Sequence, residues 1–310
     1  VSSAPASPAA SASGSGSGAG AASIGVPSGA RTTRAWRRAS TLHIYRWELR
    51  KLVSQKRTYL GLALAVAPPL LFVIFQSVHQ RHDRGGENIF VSQITQSGLA
   101  TPVLMLLFES FFLLPLIAAL VAGDIVANED SNGTLKTVLT RSVDRGQLFA
   151  AKTLAAMTYA VIAVFLSAAV ATAGGVASWG FESITSYSGT VVTAPKALLL
   201  VFAANAFYLI PLFSFASIGL LLSTVTRNSA AAVVGTVSVI FLLLILAEIP
   251  GLQGTHPYLL TNQFQNWQGL LRTPTDWAPI EHSAWVCALY AIPSLLVGYL
   301  VLLRRDVAGG

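Results

Sequence analysis

The sequence predicts an all-α polytopic membrane protein. It has six transmembrane helices, an amino-terminal interfacial helix on the cytoplasmic side, and a further cytoplasmic helix between spans two and three. Three observations carry the prediction. Of 310 residues, 53% are hydrophobic and 11% charged, whereas a soluble domain carries about 25% charged residues. Six stretches approach the roughly 20 apolar residues that a span requires. The basic residues gather on one side of the loops that join those stretches.

Residues 1–40 form a low-complexity basic tail. Up to residue 30 it is almost wholly Ser, Ala, Gly and Pro, too poor in apolar surface to offset the entropy of ordering, so disorder is expected. It lacks the apolar core of a signal peptide, and its arginines come late, so cleavage by signal peptidase is not expected.

Residues 41–58 read as an amphipathic interfacial helix. On a helical wheel Leu42, Tyr45, Leu49, Leu52 and Val53 fall within an arc roughly 100° wide. Arg46, Arg50 and Arg57 flank the arc, Trp47 lies between them in sequence, and Lys51 is nearly opposite. Joined directly to an apolar segment, such a helix belongs in the headgroup layer. Nine of the 20 Lys and Arg residues lie between Arg31 and Arg57. A juxtamembrane cluster of this kind attracts anionic lipid at about 1 kcal/mol per basic residue, and it accounts for the net charge of +7 without a nucleic-acid partner.

Residues 59–310 make the membrane domain. The spans are expected at about 59–77, 101–122, 150–176, 197–222, 229–248 and 284–303. Pro68 and Pro69 should kink the first and Pro211 the fourth. With the amino terminus in the cytoplasm, 16 basic residues fall inside and 4 outside; both termini are then cytoplasmic.

The inner loop from Gly123 to Lys152 is the most informative soluble segment. Asn132 and Gly133 mark a break. A short helix at 134–140 follows, with Leu135, Val138 and Leu139 at i, i+3, i+4 spacing, and Asp144 with Gln147 resembles a capping box opening the third span. The apolar stripe at 134–140 suits either a groove on a partner protein or the bilayer surface.

Other residues were weighed as chemistry. Glu109, in LLFESFF near the middle of span two, should face the bundle interior; it either contacts a polar or cationic substrate or makes an interhelix hydrogen bond. Glu182 and Glu248 are expected to be solvated. His79 and His82, with Asp83 or Glu87, have the spacing of metal ligands but read as solvated, so no metal site is assigned. Cys287 is the only cysteine, which excludes an intrachain disulfide. Between Pro250 and Ser283 the chain is rich in Trp and Leu, with Trp267, Leu270, Leu271 and Trp277, followed by Trp285; this predicts interfacial anchors.

The run Glu129, Gly133, Thr134, Leu135, Lys136, then Arg145 and Lys152, resembles a pattern in the permeases of type 2 ATP-binding cassette transporters. WELRKLVSQKRTYLGL is similar to their elbow helix. PYLLTNQFQNWQGLL, DWAPI and the terminal Arg-Arg-Asp-Val are similar to their carboxy-terminal end. The resemblance, over about residues 41–307, implies a permease subunit of the cell inner membrane, most simply an exporter. It implies a dimer, homomeric or heteromeric, bound to two copies of a separate ATPase that holds ATP and Mg. On that resemblance Glu129, Leu135, Lys136, Val138, Leu139 and Arg145 belong to the ATPase-coupling surface, beside Arg46, Trp47, Arg50 and Lys51 of the elbow, with 134–140 as the coupling helix, and the stretch from Pro250 to Ser283 forms short re-entrant helices in place of aromatic anchors.

The chain itself has no Gly-Lys dipeptide, so it cannot form the phosphate loop of an ATPase; it is not expected to be an enzyme. An intramembrane hydrolase is excluded by the lack of histidine in the spans and of Gly-x-Ser-x-Gly. A secondary transporter driven by an ion gradient remains as the alternative, and a single intramembrane glutamate supports it thinly.

Overall fold

The structure, a computed structural model, describes residues 40–79, 97–133, 144–186 and 188–304. They form ten α-helices and one small hairpin, all within one unit that begins at Arg38. The helix α1 (Thr41–Val53) is joined by Ser54 and Gln55 to α2 (Lys56–His79). Next come α3 (Ala100–Glu109), α4 (Leu113–Ala122) and the short α5 (Ala127–Ser131). The two longest helices are α6 (Arg145–Trp179) and α7 (Ala194–Thr226). Between them β1 (Ile184–Thr185) pairs antiparallel with β2 (Val191–Val192), Ile184 opposite Val192. The chain ends with α8 (Ser229–Glu248), α9 (Leu260–Gln263) between two 3-10 turns, and α10 (Ala278–Arg304).

The chain is thus an all-α polytopic membrane protein. The helices α2, α6, α7, α8 and α10 are each long and apolar enough to cross a membrane, and the bent pair α3 and α4 makes the sixth span when counted as one. Large apolar side chains such as Leu71, Phe202, Leu242 and Leu289 lie exposed on the outside of the bundle. That distribution is unfavourable in water and natural in hydrocarbon.

α6 and α7 are the axis of the bundle: α6 packs against α1, α2, α3 and α7, and α7 against α4, α8 and α10. Close approach at one crossing depends on glycine. A Cβ on Gly175 of α6 would stand 2.3 Å from the Gly98 carbonyl oxygen, and one on Gly98 would stand 2.3 Å from the Gly175 carbonyl. Only the absence of side chains lets the two backbones touch.

Helix continuity differs among the proline sites. α2 and α7 run as unbroken helices through Pro68, Pro69 and Pro211. The break falls in span two at Ser110–Phe112, where α3 meets the Leu113–Ser131 stretch at 58°. Pro115 supplies the cause, because it has no amide for the Phe111 carbonyl one turn back and its ring crowds that carbonyl. At the break, Ser110 takes partners from neighbouring elements. The Tyr208 hydroxyl donates to the Ser110 carbonyl at 3.1 Å, and the Gln265 side chain donates to Ser110 Oγ at 2.7 Å. Such outside partners are what permits a broken span in a membrane.

The segment after α8 departs from one expectation. Trp267 is 0% exposed and belongs to the core with Leu260, Phe264 and Leu271, so it is not an interfacial anchor. The 3-10 turn Asn266–Leu271 packs it onto α7. Trp277 and Trp285 are exposed, as anchors would be.

Candidate functional site

At the end of the bundle that carries α1, an amphipathic helix meets two span ends through charge. Ile44, Glu48 and Leu52, spaced by four, form the face of α1 turned to the bundle, with Tyr45 and Leu49 beside it. This face is rotated from the predicted apolar arc, of which Leu42 and Val53 remain exposed. The rotation has a reason: it brings Glu48 to Lys152. A lysine two turns into an apolar span must find anionic partners or leave the membrane.

Lys152 is 0% exposed and its ammonium is surrounded by three oxygens. Its Nζ lies 3.0 Å from Glu48 Oε1 and 2.8 Å from Glu129 Oε2, and donates to the Ile125 carbonyl at 3.1 Å. Lys51 pairs with Glu129 Oε1, and its ammonium stands 5.5 Å from the Trp47 ring. Two cations and two carboxylates therefore tie α1, α5 and α6 together. Burial pushes the Glu48 carboxyl above 4.5, outweighing the attraction of Lys152. Glu129 is subject to the same burial, but Lys152 and Lys51 together hold it below 4.5. Glu129 is 2% exposed and sits at the centre of the cluster.

A second set of contacts fixes the turn leading into α5. Arg57 of α2 pairs with Asp124, which also accepts from the Ser229 hydroxyl at the start of α8. Ser223 Oγ of α7 accepts from the amides of Val126 at 3.1 Å and Ala127 at 2.9 Å, groups that an α-helix leaves unpaired at its start. The chain then leaves the described region at Gly133, whose φ of +68° is the left-handed geometry expected of a helix stop.

It returns at Asp144, whose side chain caps α6 by accepting from Gly146 N at 3.2 Å. The reciprocal half of a capping box is absent, since Gln147 Oε1 is buried without a partner among the described residues. Arg145 donates to the carbonyls of Leu302 and Leu303, placing a cation on the negative end of α10.

Of the expected coupling residues, the structure brings together Glu129 and Lys51 and sets Arg145, the first residue of α6, against the last carbonyls of α10. Arg46, Trp47 and Arg50 are exposed on the outer side of α1. Leu135, Lys136, Val138 and Leu139, with the helix expected at 134–140, lie outside the described residues, as do His82, Asp83 and Glu87. The residues that sequence reasoning missed are Glu48, Arg57, Asp124 and Ser229. The signal for Glu48 was an acid among basic and apolar residues four positions from both Ile44 and Leu52.

Glu109 lies elsewhere, at the end of α3 beside the break in span two. It is 3% exposed and accepts a hydrogen bond of 2.6 Å from Ser167 of α6, the interhelix bond that was one of its two expected roles. It does not line the groove of about 550 Å³ between α6 and α7, which is bordered by Phe165, Ala169, Val176, Leu198, Phe202 and Asn205. Glu182 and Glu248 are exposed.

Residues 42–307 match the family model described as ABC-2 family transporter protein. No curated protein matches the chain.

Proposed function

The chain belongs to the ABC-2 family of transporter proteins, as a membrane subunit of an ABC transporter, and on that premise we propose that it is an exporter permease whose α1 end docks separate ATPase subunits. Two copies of the chain, or this chain with a related one, line the substrate path. Each is served by one ATPase, which holds ATP and Mg. The α1 end faces the cytoplasm, a reading supported by the 16 to 4 division of basic residues. The membrane is the cell inner membrane.

One observation carries this reading. The segment 134–143 leaves from α5 and returns into α6, and both flanks are locked to α1 by the same buried cluster of Glu48, Lys51, Glu129 and Lys152. An ATPase pressing on that segment therefore moves α1 and the long helix α6 together. ATP-driven closure of the ATPase pair would bias the bundle between two access states.

The test is co-purification from native membranes. Wild-type chain should retain an ATPase, and Leu135→Asp with Leu139→Asp should release it while the membrane domain keeps its elution volume and thermal transition. Retention of the ATPase by that variant, or transport indifferent to ATP depletion, would sink the proposal.

A further inference from the structure

Among the described residues the carboxyl of Glu109 has no charged counterpart. No Lys, Arg or His among them pairs with it, and its Oε1 is buried without a hydrogen-bond partner, while Oε2 meets only the Ser167 hydroxyl at 2.6 Å. The surrounding elements offer nothing more. On α7 the facing titratable group is Tyr208, whose hydroxyl is committed to the Ser110 carbonyl. On α6, Tyr159 is committed to the Thr58 carbonyl at 3.2 Å, and no charged residue occurs between Thr153 and Trp179. The α2 stretch Thr58–Gln76 has none either, and the 260–271 segment contributes the neutral Gln265.

Two further features argue against an ionised carboxylate. A bare charge in the hydrocarbon region is costly, and Glu109 terminates α3, where the helix dipole presents its negative end. A neutral acid suits the same contacts. Protonated on Oε2, it would reverse the direction of that 2.6 Å bond and donate to Ser167 Oγ, whose own hydrogen can turn to a carbonyl one turn back along α6, as serines in helices do. Oε1 is then an ordinary carbonyl oxygen, far cheaper to bury alone than half of a carboxylate.

We propose that Glu109 is a proton-binding site, protonated in this conformation. On release the O–H bond breaks, the electron pair stays on the carboxylate, and the proton passes to water; rebinding reverses the step. The proposal concerns this chain alone and does not rest on ATPase docking.

Infrared spectroscopy of the full chain in lipid nanodiscs tests it. At neutral pH the wild type should show a protonated-carboxyl carbonyl band that is lost in Glu109→Gln, and Ser167→Ala should shift that band by removing its hydrogen-bond partner. If Glu109→Gln fails to assemble, the shift in Ser167→Ala decides alone. A wild-type minus Glu109→Gln difference spectrum showing loss of a carboxylate band instead, one sensitive to exchange of sodium for potassium, or an unshifted band in Ser167→Ala, would overturn the assignment. None of these readouts uses ATP, so they stand or fall separately from the transport reading.

Discussion

Lys152 Nζ stands 2.8 Å from Glu129 Oε2, and neither side chain reaches solvent. Removing one member of a buried ion pair leaves an uncompensated charge and costs about 3–5 kcal/mol. Lys152→Met should therefore lower the thermal transition of the detergent-purified protein strongly. Adding Glu48→Gln and Glu129→Gln to the same chain should recover much of the loss, since a neutral, well-packed replacement is often tolerated. A transition unmoved by Lys152→Met would show that the cluster does not hold α1 to α6.

The two carboxylates of the cluster give stability opposite dependences on pH. Glu129 is held below 4.5 in the folded state, so the folded protein binds fewer protons than the unfolded chain. The stability it contributes is present above about pH 4.5 and is lost as the pH falls through the folded value. Burial raises Glu48 above 4.5, so there the folded state holds the extra proton, and stability declines as the pH rises from 4.5 through the folded value. Thermal unfolding across pH should show Glu48→Gln flattening the decline on the alkaline side while the acid loss persists. Glu129→Gln should do the reverse. A Glu48→Gln variant that keeps the alkaline-side decline would assign it to another group.

The spans were legible because each is a run of apolar residues near the length of the bilayer, a signal carried within the run itself. The cluster was only half legible. Lys152 breaks the apolar start of span three and announces that a partner is needed, but nothing local to Glu48 says that α1 will turn that face inward. The wheel placed the apolar arc around Leu49; the structure turned the helix toward Ile44 and Leu52, because the gain from pairing Glu48 with Lys152 is absent from any one-helix calculation. The break in span two falls just before Pro115, a residue that the reading of the spans did not single out, while Pro68 and Pro69 lie within the continuous helix α2. Trp267 did mislead. A tryptophan in a loop between spans reads as an anchor until the segment around it folds back onto α7.

Gly175 and Gly98 make a steric prediction. A methyl on Gly175 would lie 2.3 Å from the Gly98 carbonyl oxygen and 2.7 Å from Thr101 Oγ1, and a backbone atom cannot swing aside as a side-chain tip can. Overpacking of this kind costs about 1–3 kcal/mol. Gly175→Ala should lower the thermal transition, whereas Gly254→Ala, with nothing within 4 Å of its added methyl, should leave it in place. Equal transitions for the two variants would contradict the close crossing of α6 with the start of α3.

Trp267 and Trp277 lie in one connecting segment and should respond oppositely to the same probes. Trp267 is sealed among Leu260, Phe264 and Leu271, while Trp277 is 59% exposed. Truncating a buried aromatic to alanine costs about 3–5 kcal/mol, transfer and cavity combined. Truncating an exposed one away from special contacts changes stability by about 0.5 kcal/mol or less. Trp267→Ala should therefore unfold at distinctly lower temperature and Trp277→Ala close to wild type. Fluorescence gives an independent reading: in chains retaining a single one of these tryptophans, a polar quencher or a brominated lipid should reach Trp277 and spare Trp267. Quenching of Trp267 to the same extent would mean that the 3-10 turn Asn266–Leu271 does not pack onto α7, and the support of the span-two break by Gln265 from that same segment would fall with it.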